Sequence, residues 1–363
     1  MGAATRGIAI AIVLVIALTA IYYLVEDTNI LNEPISQTSY QIPSELSTSF
    51  SRNFTFASSK SFTFYLTPTI SDSLQQSLVT PSYSSTVNFT SKINGNRSYW
   101  EFFVSPGNSY INISYNISSH GASWQNIENS TGQRSQIPSS LKLEYDKAEY
   151  FNATGRELEV INPSFFRNLT LNITANDTTV TEMLRSIYNY IILNYHYNIT
   201  YNLGNIPLSA QQVYQLKEGD CEELSYLFES MSRSIGIPSW TQYGLLVQDI
   251  RGQVTLGEHA WVQTYVPLSN NTGKFVNIDL TVEVGGQDLG RGFLVKYPNS
   301  IVEWTDNGNS SDMVAYHTEL VASSGIQLTE HEYDVISSFN QSGTISLVQD
   351  NIFNLLIANT FRE

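Results

Sequence analysis

This chain contains very little cysteine and few basic residues. Its 363 residues include one cysteine, Cys221, so an intrachain disulfide is impossible and small disulfide-stapled folds are excluded. Charged residues make up 14 % of the chain, against about 25 % in an ordinary soluble domain. With 18 Lys+Arg against 33 Asp+Glu, the formal charge is −15. Such an acidic chain is a poor match for a phosphate backbone, which disfavours nucleic-acid binding.

Uncharged polar residues and aromatic residues take the place of charge. The chain has 75 Ser+Thr and 31 Asn, while apolar residues account for 42 % and aromatic residues for 12 %. This apolar content is enough for one or two hydrophobic cores, so general disorder and low-complexity fibres are excluded. Low charge combined with many hydroxyl and amide groups is typical of a protein exposed outside the cell.

Motifs for N-glycosylation, Asn-x-Ser/Thr, support an exterior location. The composition predicts about six by chance, but the sequence has 14. They begin at Asn53, Asn88, Asn96, Asn112, Asn116, Asn129, Asn152, Asn168, Asn172, Asn176, Asn198, Asn270, Asn309 and Asn340. None begins between Asn198 and Asn270, either because glycans would obstruct a cleft in that stretch or because Asn is scarce there.

The N-terminus carries a long apolar run. Residues 8–25 contain no charge, follow Arg6 and precede Glu26 and Asp27. Their length is close to the roughly 20 residues that a bilayer crossing needs. We therefore expect a retained single-pass anchor at the cell membrane with residues 1–7 inside and the remaining domains outside. A cleaved signal peptide and a pilin-type leader processed near Arg6 are the alternatives.

Changes in composition divide the rest of the chain. Residues 26–50 read as a Ser/Thr/Gln/Pro-bearing linker. Short alternating runs in residues 51–160 predict a β-rich domain resembling a sandwich. Helical periodicity begins after Asn176, and an α+β domain is expected over 161–290. Residues 291–363 are expected to form a C-terminal extension that packs on the core of that domain.

The residues with the clearest chemical pattern lie in the second half. Asp220 suits the N-cap of an amphipathic helix, which places Cys221 in the first helical turn. The helix dipole and a protonated histidine can lower the pKa of a thiol in that position, although the adjacent Glu222 and Glu223 oppose this shift. A thiolate nucleophile is therefore predicted at Cys221, provided that a positive partner lies nearby.

Two alternating stretches offer that partner and a carboxylate. Residues 258–266 place His259 and Trp261 on one strand face, and residues 275–281 form a second strand that carries Asp279. Adjacent antiparallel strands hold such side chains next to each other. Cysteine attack on a carbonyl, proton transfer by histidine and orientation of the imidazole by aspartate require these three residue types.

These residues resemble the transglutaminase-like superfamily. The resemblance rests on four pieces in the family's order: Gly-Asp-Cys at 219–221, Arg-x-x-Gly-Ile-Pro at 233–238, His-Ala-Trp-Val at 259–262 and Asp-x-Thr at 279–281. It covers about residues 165–290 and includes a lead-in helix that ends near Asn194-Tyr195-His196-Tyr197. The chain departs from the family pattern at Ser239-Trp240, Phe275 and Leu280. The resemblance therefore does not identify the substrate.

The resemblance implies a papain-like α+β core. In that core a helix bearing Cys221 packs on an antiparallel sheet bearing His259 and Asp279, and the cysteine forms a thioester with substrate acyl groups. No cofactor or metal is required for this chemistry. The backbone N–H of Cys221 is the expected first oxyanion donor. Gln215 is a candidate second donor, with Gln212 and Gln211 as rivals, unless it is merely a surface glutamine.

Two functional hypotheses follow. The first is an exterior thiol acyl-enzyme that acts on protein or peptide amide bonds, either as a protease or amidase or as a transamidase. The second is a non-catalytic surface module that binds or scaffolds other proteins on a transglutaminase-like fold. In both, the membrane is contacted only through the N-terminal helix, and the oligomeric state is open. Trp261 either lines the cleft or, as we favour, packs in the core.

Overall fold

The structure is a computed structural model that describes residues 37–71, 77–94, 97–153, 156–198, 206–250, 252–281, 291–309 and 317–350. The predicted anchor at 8–25 lies outside the described residues. Within the part that is described, no helix has both the length and the apolar character needed to cross a bilayer.

The described helices lie in the middle of the chain. They are α1 (Ser139–Tyr145), α2 (Pro163–Ile173), α3 (Val180–Asn194), α4 (Ala210–Leu216) and α5 (Cys221–Ser234). Short 3₁₀ turns at Gln125–Ser130 and Arg134–Gln136 precede them. The predicted capping box of α3 is present, because the Thr179 side chain accepts from the backbone of Glu182 and the Glu182 side chain accepts from that of Thr179.

Strands fill most of the remaining described chain. They are β1 (Gln37–Ile42), β2 (Glu45–Ser58), β3 (Phe62–Leu66), β4 (Ser77–Ser85), β5 (Phe89–Asn94), β6 (Arg97–Val104), β7 (Gly107–His120), β8 (Ala122–Ser123), β9 (Glu149–Ala153), β10 (Arg156–Ile161), β11 (His196–Tyr197), β12 (Glu218–Gly219), β13 (Ser239–Ile250), β14 (Gln253–Pro267), β15 (Gly273–Ile278), β16 (Val295–Lys296), β17 (Ser300–Thr305), β18 (Thr318–Ala322), β19 (Leu328–Ser342) and β20 (Ile345–Asp350).

Two four-stranded antiparallel sheets form the β-rich part, in the orders β19-β2-β7-β4 and β18-β3-β6-β5. The alternating burial along β2 turns Phe50, Phe54 and Phe56 towards the opposite sheet, where Phe64 and Phe102 are also buried. The rings of Phe54 and Phe64 lie 4.9 Å apart between centroids. An apolar layer of this kind between two sheets is the core of a β-sandwich.

The predicted boundaries differ from the structure at both ends of this sandwich. Residues 37–50, expected to be linker, form β1 and the start of β2, because Leu46, Thr48 and Phe50 alternate inward behind a Ser/Thr-rich outer face. In the C-terminal segment, β17 joins the sheet of the helical domain, as an extension on that core should. Strands β18 and β19 instead pair with β3 and β2 and complete the sandwich.

A third antiparallel sheet, in the order β15-β14-β13-β17, supports the residues singled out by the sequence. Helix α5 packs on β13 and β14, and α2, α3 and α4 pack around α5. The helix presents Leu227, Phe228 and Met231 to the same buried cluster as Val262 and Val276 of the sheet. This segregated helix-on-sheet arrangement is an α+β core.

The sandwich and the α+β core are packed against each other. Leu245 and Val247 of β13 and Ile301 of β17 are buried in the same apolar cluster as the sandwich phenylalanines. The long hairpin of β13 and β14 therefore extends from the α+β core into the sandwich. A separate two-stranded ribbon pairs β1 with β20 and brings Gln37 opposite Asp350.

Candidate active site

The start of α5 is held by a reciprocal cap. The Asp220 carboxylate accepts from the backbone N–H groups of Glu222 (3.0 Å) and Glu223 (3.2 Å), and the Glu223 carboxylate accepts from the N–H of Asp220 at 3.0 Å. The predicted N-cap is thus present, and Cys221 occupies the first helical position. The second oxygen of Glu223 accepts from the N–H of Leu208 at 2.8 Å, which fixes the incoming loop to the same turn.

His259 and Asp279 meet on neighbouring strands. Nε2 of His259 lies 2.8 Å from Oδ2 of Asp279, and both side chains are buried. The other carboxylate oxygen, Oδ1, accepts from the backbone N–H of Thr281 at 2.9 Å and from its hydroxyl at 2.8 Å. Both carboxylate oxygens therefore have fixed donors, and the imidazole is held with Nδ1 directed away from Asp279.

The buried pair favours a charged imidazole. Burial disfavours a charge on His259, but the carboxylate of Asp279 and its hydrogen bond raise the pKa of His259 to about 10. Burial likewise opposes ionisation of Asp279, yet His259 and the two donors from Thr281 lower the pKa of that carboxyl. The aspartate thus supplies the negative charge that stabilises a protonated histidine.

Three groups surround the sulfur of the partly exposed Cys221. The thiol is hydrogen-bonded to the side chain of His259, receives the backbone N–H of Ala260 and contacts the hydroxyl of Tyr197. Because Nε2 of His259 is engaged with Asp279, the hydrogen bond to the sulfur is made by Nδ1. The three predicted residues are therefore brought together in the order sulfur, imidazole, carboxylate, which is the arrangement needed for nucleophilic catalysis.

The environment of the thiol differs in one respect from the expectation. Burial raises the pKa of the Cys221 thiol, and the hydrogen bond and charge of His259 act in the opposite direction. Burial has the larger effect, so the pKa of the thiol lies above its ordinary value even beside His259, contrary to the predicted low pKa. Formation of the thiolate depends on its pairing with the protonated imidazole.

The two glutamates after Cys221 are buried rather than solvated. Burial raises the pKa of Glu222 to about 8 and that of Glu223 to about 7. Glu222 accepts from the hydroxyl of Tyr226 at 2.5 Å, and that hydroxyl lies 2.9 Å from the hydroxyl of Tyr243. At neutral pH Glu222 is therefore mostly protonated and Glu223 partly so, which lessens the predicted repulsion between these carboxylates and a thiolate.

The other side chains that the sequence suggested for the site do not contact the triad in the same way. Gln215 is exposed on α4, and in the described ranges no hydrogen bond joins it to the triad, while Gln212 caps its own helix through Ser209. Trp261 is buried and donates from Nε1 to Gln242 at 2.8 Å, as expected for a core residue. Tyr197 was missed as a site residue, although it ends the lead-in segment on which the resemblance partly rests.

A buried ion cluster ties α5 to its surroundings behind the site. Arg233 lies 2.6 Å from Glu149, 2.9 Å from Glu229 and 3.4 Å from Asp306, and all four side chains are fully buried. The Nε of Arg233 also donates to the carbonyl of Ser239 at 2.8 Å. This cluster joins the helix to β9, β13 and the turn after β17, and it explains why an arginine occupies the second motif.

Part of the chain matches a known protein family. Residues 167–280, or 114 of the 363 residues, match the model of the transglutaminase-like superfamily. The chain therefore carries a transglutaminase-like domain. This match contains Cys221, His259 and Asp279, and it ends one residue beyond the aspartate. No curated protein matches the sequence.

One solved structure shares the overall fold at low identity, and two others have lower TM-scores. A proposed cysteine protease from Cytophaga hutchinsonii has a TM-score of 0.56 and 12 % identity, over 86 % of this chain and all of the other. The periplasmic domain of TgpA from Pseudomonas aeruginosa has a TM-score of 0.34 and 12 % identity, over 64 % and 88 % of the two chains. Red sea bream transglutaminase has a TM-score of 0.29 and 12 % identity, over 73 % and 50 %.

Within the described ranges, no group of three or more His, Cys, Asp or Glu side chains is arranged to hold a metal ion. The carboxylates near Arg233 are engaged with that guanidinium.

Proposed function

We propose that this chain is a thiol acyl-enzyme that cleaves or transfers amide bonds of proteins or peptides, with Cys221 as nucleophile, His259 as acid and base, and Asp279 as the orienting carboxylate. The observation that carries the proposal is the 2.8 Å contact between Nε2 of His259 and Asp279, together with the hydrogen bond of the same imidazole to the Cys221 thiol. This shared imidazole links the nucleophile to the carboxylate.

Acylation follows directly from this arrangement. His259 accepts the thiol proton, and the sulfur attacks the substrate carbonyl carbon to form a tetrahedral intermediate. The carbon–nitrogen bond then breaks as the imidazolium gives its proton to the departing amine, which leaves a thioester on Cys221. Asp279 holds the imidazole in position and stabilises its positive charge throughout.

The second half of the reaction decides the activity class. Water activated by His259 would hydrolyse the thioester and make the protein a protease or amidase, whereas a lysine amine would form a new amide bond. We favour hydrolysis, because the Cys221 side chain is partly exposed and its thioester would be accessible to water. With either acceptor, water or an amine, the protein would be a transglutaminase-like thiol enzyme.

A labelled amine separates these outcomes. The full chain is incubated with a casein-type protein and a fluorescent primary amine, and new peptide termini and incorporated label are measured in parallel. New termini without label indicate a protease, and label without new termini indicates a transamidase. Neither product, with Cys221→Ser behaving like the wild type, would contradict the enzyme and favour the non-catalytic surface module.

We further propose that the protein acts outside the cell, anchored through residues 8–25. The support is the uncharged N-terminal run and the 14 glycosylation motifs. Protease protection of intact cells tests this placement: cleavage of the catalytic domain by an added protease, without lysis, is expected. Complete protection before lysis and cleavage after it would contradict the exterior placement.

A further inference from the structure

Amide chemistry at Cys221 requires a second group that binds the developing oxyanion. The backbone N–H of Cys221 lies at the first position of α5, where helical N–H groups have no intrahelical acceptor. The Asp220 carboxylate accepts from the N–H groups of Glu222 and Glu223, not from that of Cys221. One donor remains to be identified, because Gln215 is exposed and makes no hydrogen bond to the triad in the described part of the chain.

Backbone pairing brings Tyr197 to the start of α5. The short parallel pair of β11 and β12 sets Tyr197 in register with Gly219, two residues before the nucleophile. The pair is held on both sides: the N–H of His196 donates to the carbonyl of Lys217 at 2.9 Å, and that of Asn198 donates to the carbonyl of Gly219 at 2.9 Å. Tyr197 is therefore fixed beside Cys221 by main-chain bonds.

The side chain of Tyr197 completes this placement. Its hydroxyl is hydrogen-bonded to the Cys221 thiol and lies close enough to Asp279 to feel its charge. Burial and the neighbouring acidic groups raise the pKa of the phenol, so the hydroxyl keeps its proton at every pH at which the enzyme would work. A neutral hydroxyl in contact with the sulfur is a hydrogen-bond donor aimed at the reacting atoms.

We propose that the Tyr197 hydroxyl is the side-chain donor of the oxyanion hole, acting together with the backbone N–H of Cys221. In the tetrahedral intermediate the oxyanion and the sulfur are bonded to the same carbon. A donor that contacts the sulfur in the resting enzyme therefore reaches the oxyanion by a small rotation of the phenol. This assignment rests on the proposed function, and it replaces Gln215 as the second donor.

The step balances without proton transfer from the phenol. The bond between sulfur and carbonyl carbon forms while the π pair of the carbonyl moves to oxygen, and Tyr197 donates a hydrogen bond to that oxygen. When the intermediate collapses, the pair re-forms the carbonyl and the carbon–nitrogen bond breaks. The hydrogen bond is therefore stronger in the intermediate than in the bound substrate, as catalysis requires.

A merely structural tyrosine would hold the thiol without stabilising an oxyanion. Acylation and alkylation of the same sulfur distinguish these roles. Acylation by a p-nitrophenyl ester passes through a tetrahedral oxyanion, whereas alkylation by iodoacetamide displaces iodide and forms none. Both rates are measured on the full chain, for the wild type and Tyr197→Phe, with Tyr195→Phe as the matched control. Tyr195 is a nearby buried tyrosine whose hydroxyl contacts Lys217 at 3.1 Å.

For Tyr197→Phe we expect acylation to fall about 10²- to 10³-fold, the loss typical of one oxyanion donor, while alkylation and the thermal midpoint change little. Tyr195→Phe should leave both rates near those of the wild type. Unchanged acylation in Tyr197→Phe would overturn the proposal, and so would an equal fall in both rates. A wild-type thiol that is alkylated but never acylated would instead contradict the proposed function itself.

Discussion

At the scale of single residues, the charge of Asp279 governs the proton on His259. The carboxylate lies 2.8 Å from Nε2 and raises the pKa of His259 to about 10, against the penalty of burial. The imidazolium in turn favours the thiolate form of Cys221. It thereby opposes burial, which raises the pKa of that thiol. In the proposed mechanism the thiol is thus activated through two contacts in series, from Asp279 to His259 and from His259 to the sulfur.

Removal of the Asp279 charge should therefore narrow the pH range of activity. In Asp279→Asn the pKa of His259 falls, so the imidazolium is lost at lower pH and the alkaline limb of the pH–rate profile moves towards neutrality. We expect kcat to fall by at least about 10²-fold, as the imidazole also loses its fixed tautomer. Asp249→Asn, at the exposed far end of the same sheet, is the control. An unchanged alkaline limb in Asp279→Asn would be incompatible with this coupling.

At the scale of elements, α5 is fixed to its sheet by Arg233. Three carboxylates, those of Glu149, Glu229 and Asp306, surround this one guanidinium in a fully buried space. Breaking a buried charge network by removal of one partner is strongly destabilising, because the remaining charges stay buried without compensation. The cluster thus contributes to the positioning of the helix that carries Cys221.

Replacement of Arg233 should cost much of the stability of the domain. For Arg233→Met we expect a loss of about 3 to 5 kcal/mol in the free energy of unfolding, measured by urea denaturation. Arg167→Met is the control, since this α2 arginine is exposed and donates to the backbone carbonyl of Ser234 at 3.1 Å. Equal urea midpoints for the two variants would show that the cluster does not stabilise the helix.

The same cluster should make stability depend on pH. Burial raises the pKa of Glu229 from its ordinary value of 4.5 to about 8. Between these values the folded state binds more protons than the unfolded state, so stability falls as pH rises. We expect a lower urea midpoint at pH 8 than at pH 5, and a smaller decrease for Glu229→Gln. Exposed Glu144→Gln should retain the wild-type decrease; an unaltered slope in Glu229→Gln would refute the assignment.

The helix that carries Cys221 was the part of the site that the sequence predicted best. The periodicity of Leu224, Leu227 and Met231 and the cap at Asp220 predicted α5 well, because these signals are local. The position of Tyr197 was not predictable in this way, since it depends on a two-residue parallel pair between distant segments. The start of strand β2 was not predicted for a different reason. Its outer face is rich in Ser and Thr, a composition that is also typical of linkers.

At the scale of the whole molecule, the sandwich is built from both ends of the chain. Strand β2 pairs with β19 along its length, and β3 pairs with β18, so residues 318–342 close sheets that begin before the transglutaminase-like domain. The ribbon of β1 and β20 then brings Gln37 opposite Asp350. Long-range pairing of this kind has no local sequence signal, which is why the C-terminal segment was assigned entirely to the α+β core.

The sandwich also determines which glycosylation motifs are accessible. The amide of Asn53 donates to the carbonyl of Tyr333 at 3.1 Å, and that of Asn112 donates to Asn53 at 2.5 Å, so both amides are engaged within the sheet. Asn88 and Asn176 are exposed outside strands and helices. In protein exported by a glycosylating host, peptide mapping should show glycans at Asn88 and Asn176. Occupancy at Asn53 and Asn112 alone would contradict this assignment.

The central claim is that Cys221, His259 and Asp279 act as one catalytic unit. Rapid quenching of the full chain with an activated acyl substrate, followed by intact mass and peptide analysis, tests it most directly. We predict one acyl group per chain, located on Cys221, formed at least about 10²-fold more slowly in His259→Ala and absent in Cys221→Ser. Acylation of the wild-type thiol at the rate of His259→Ala would contradict the claim.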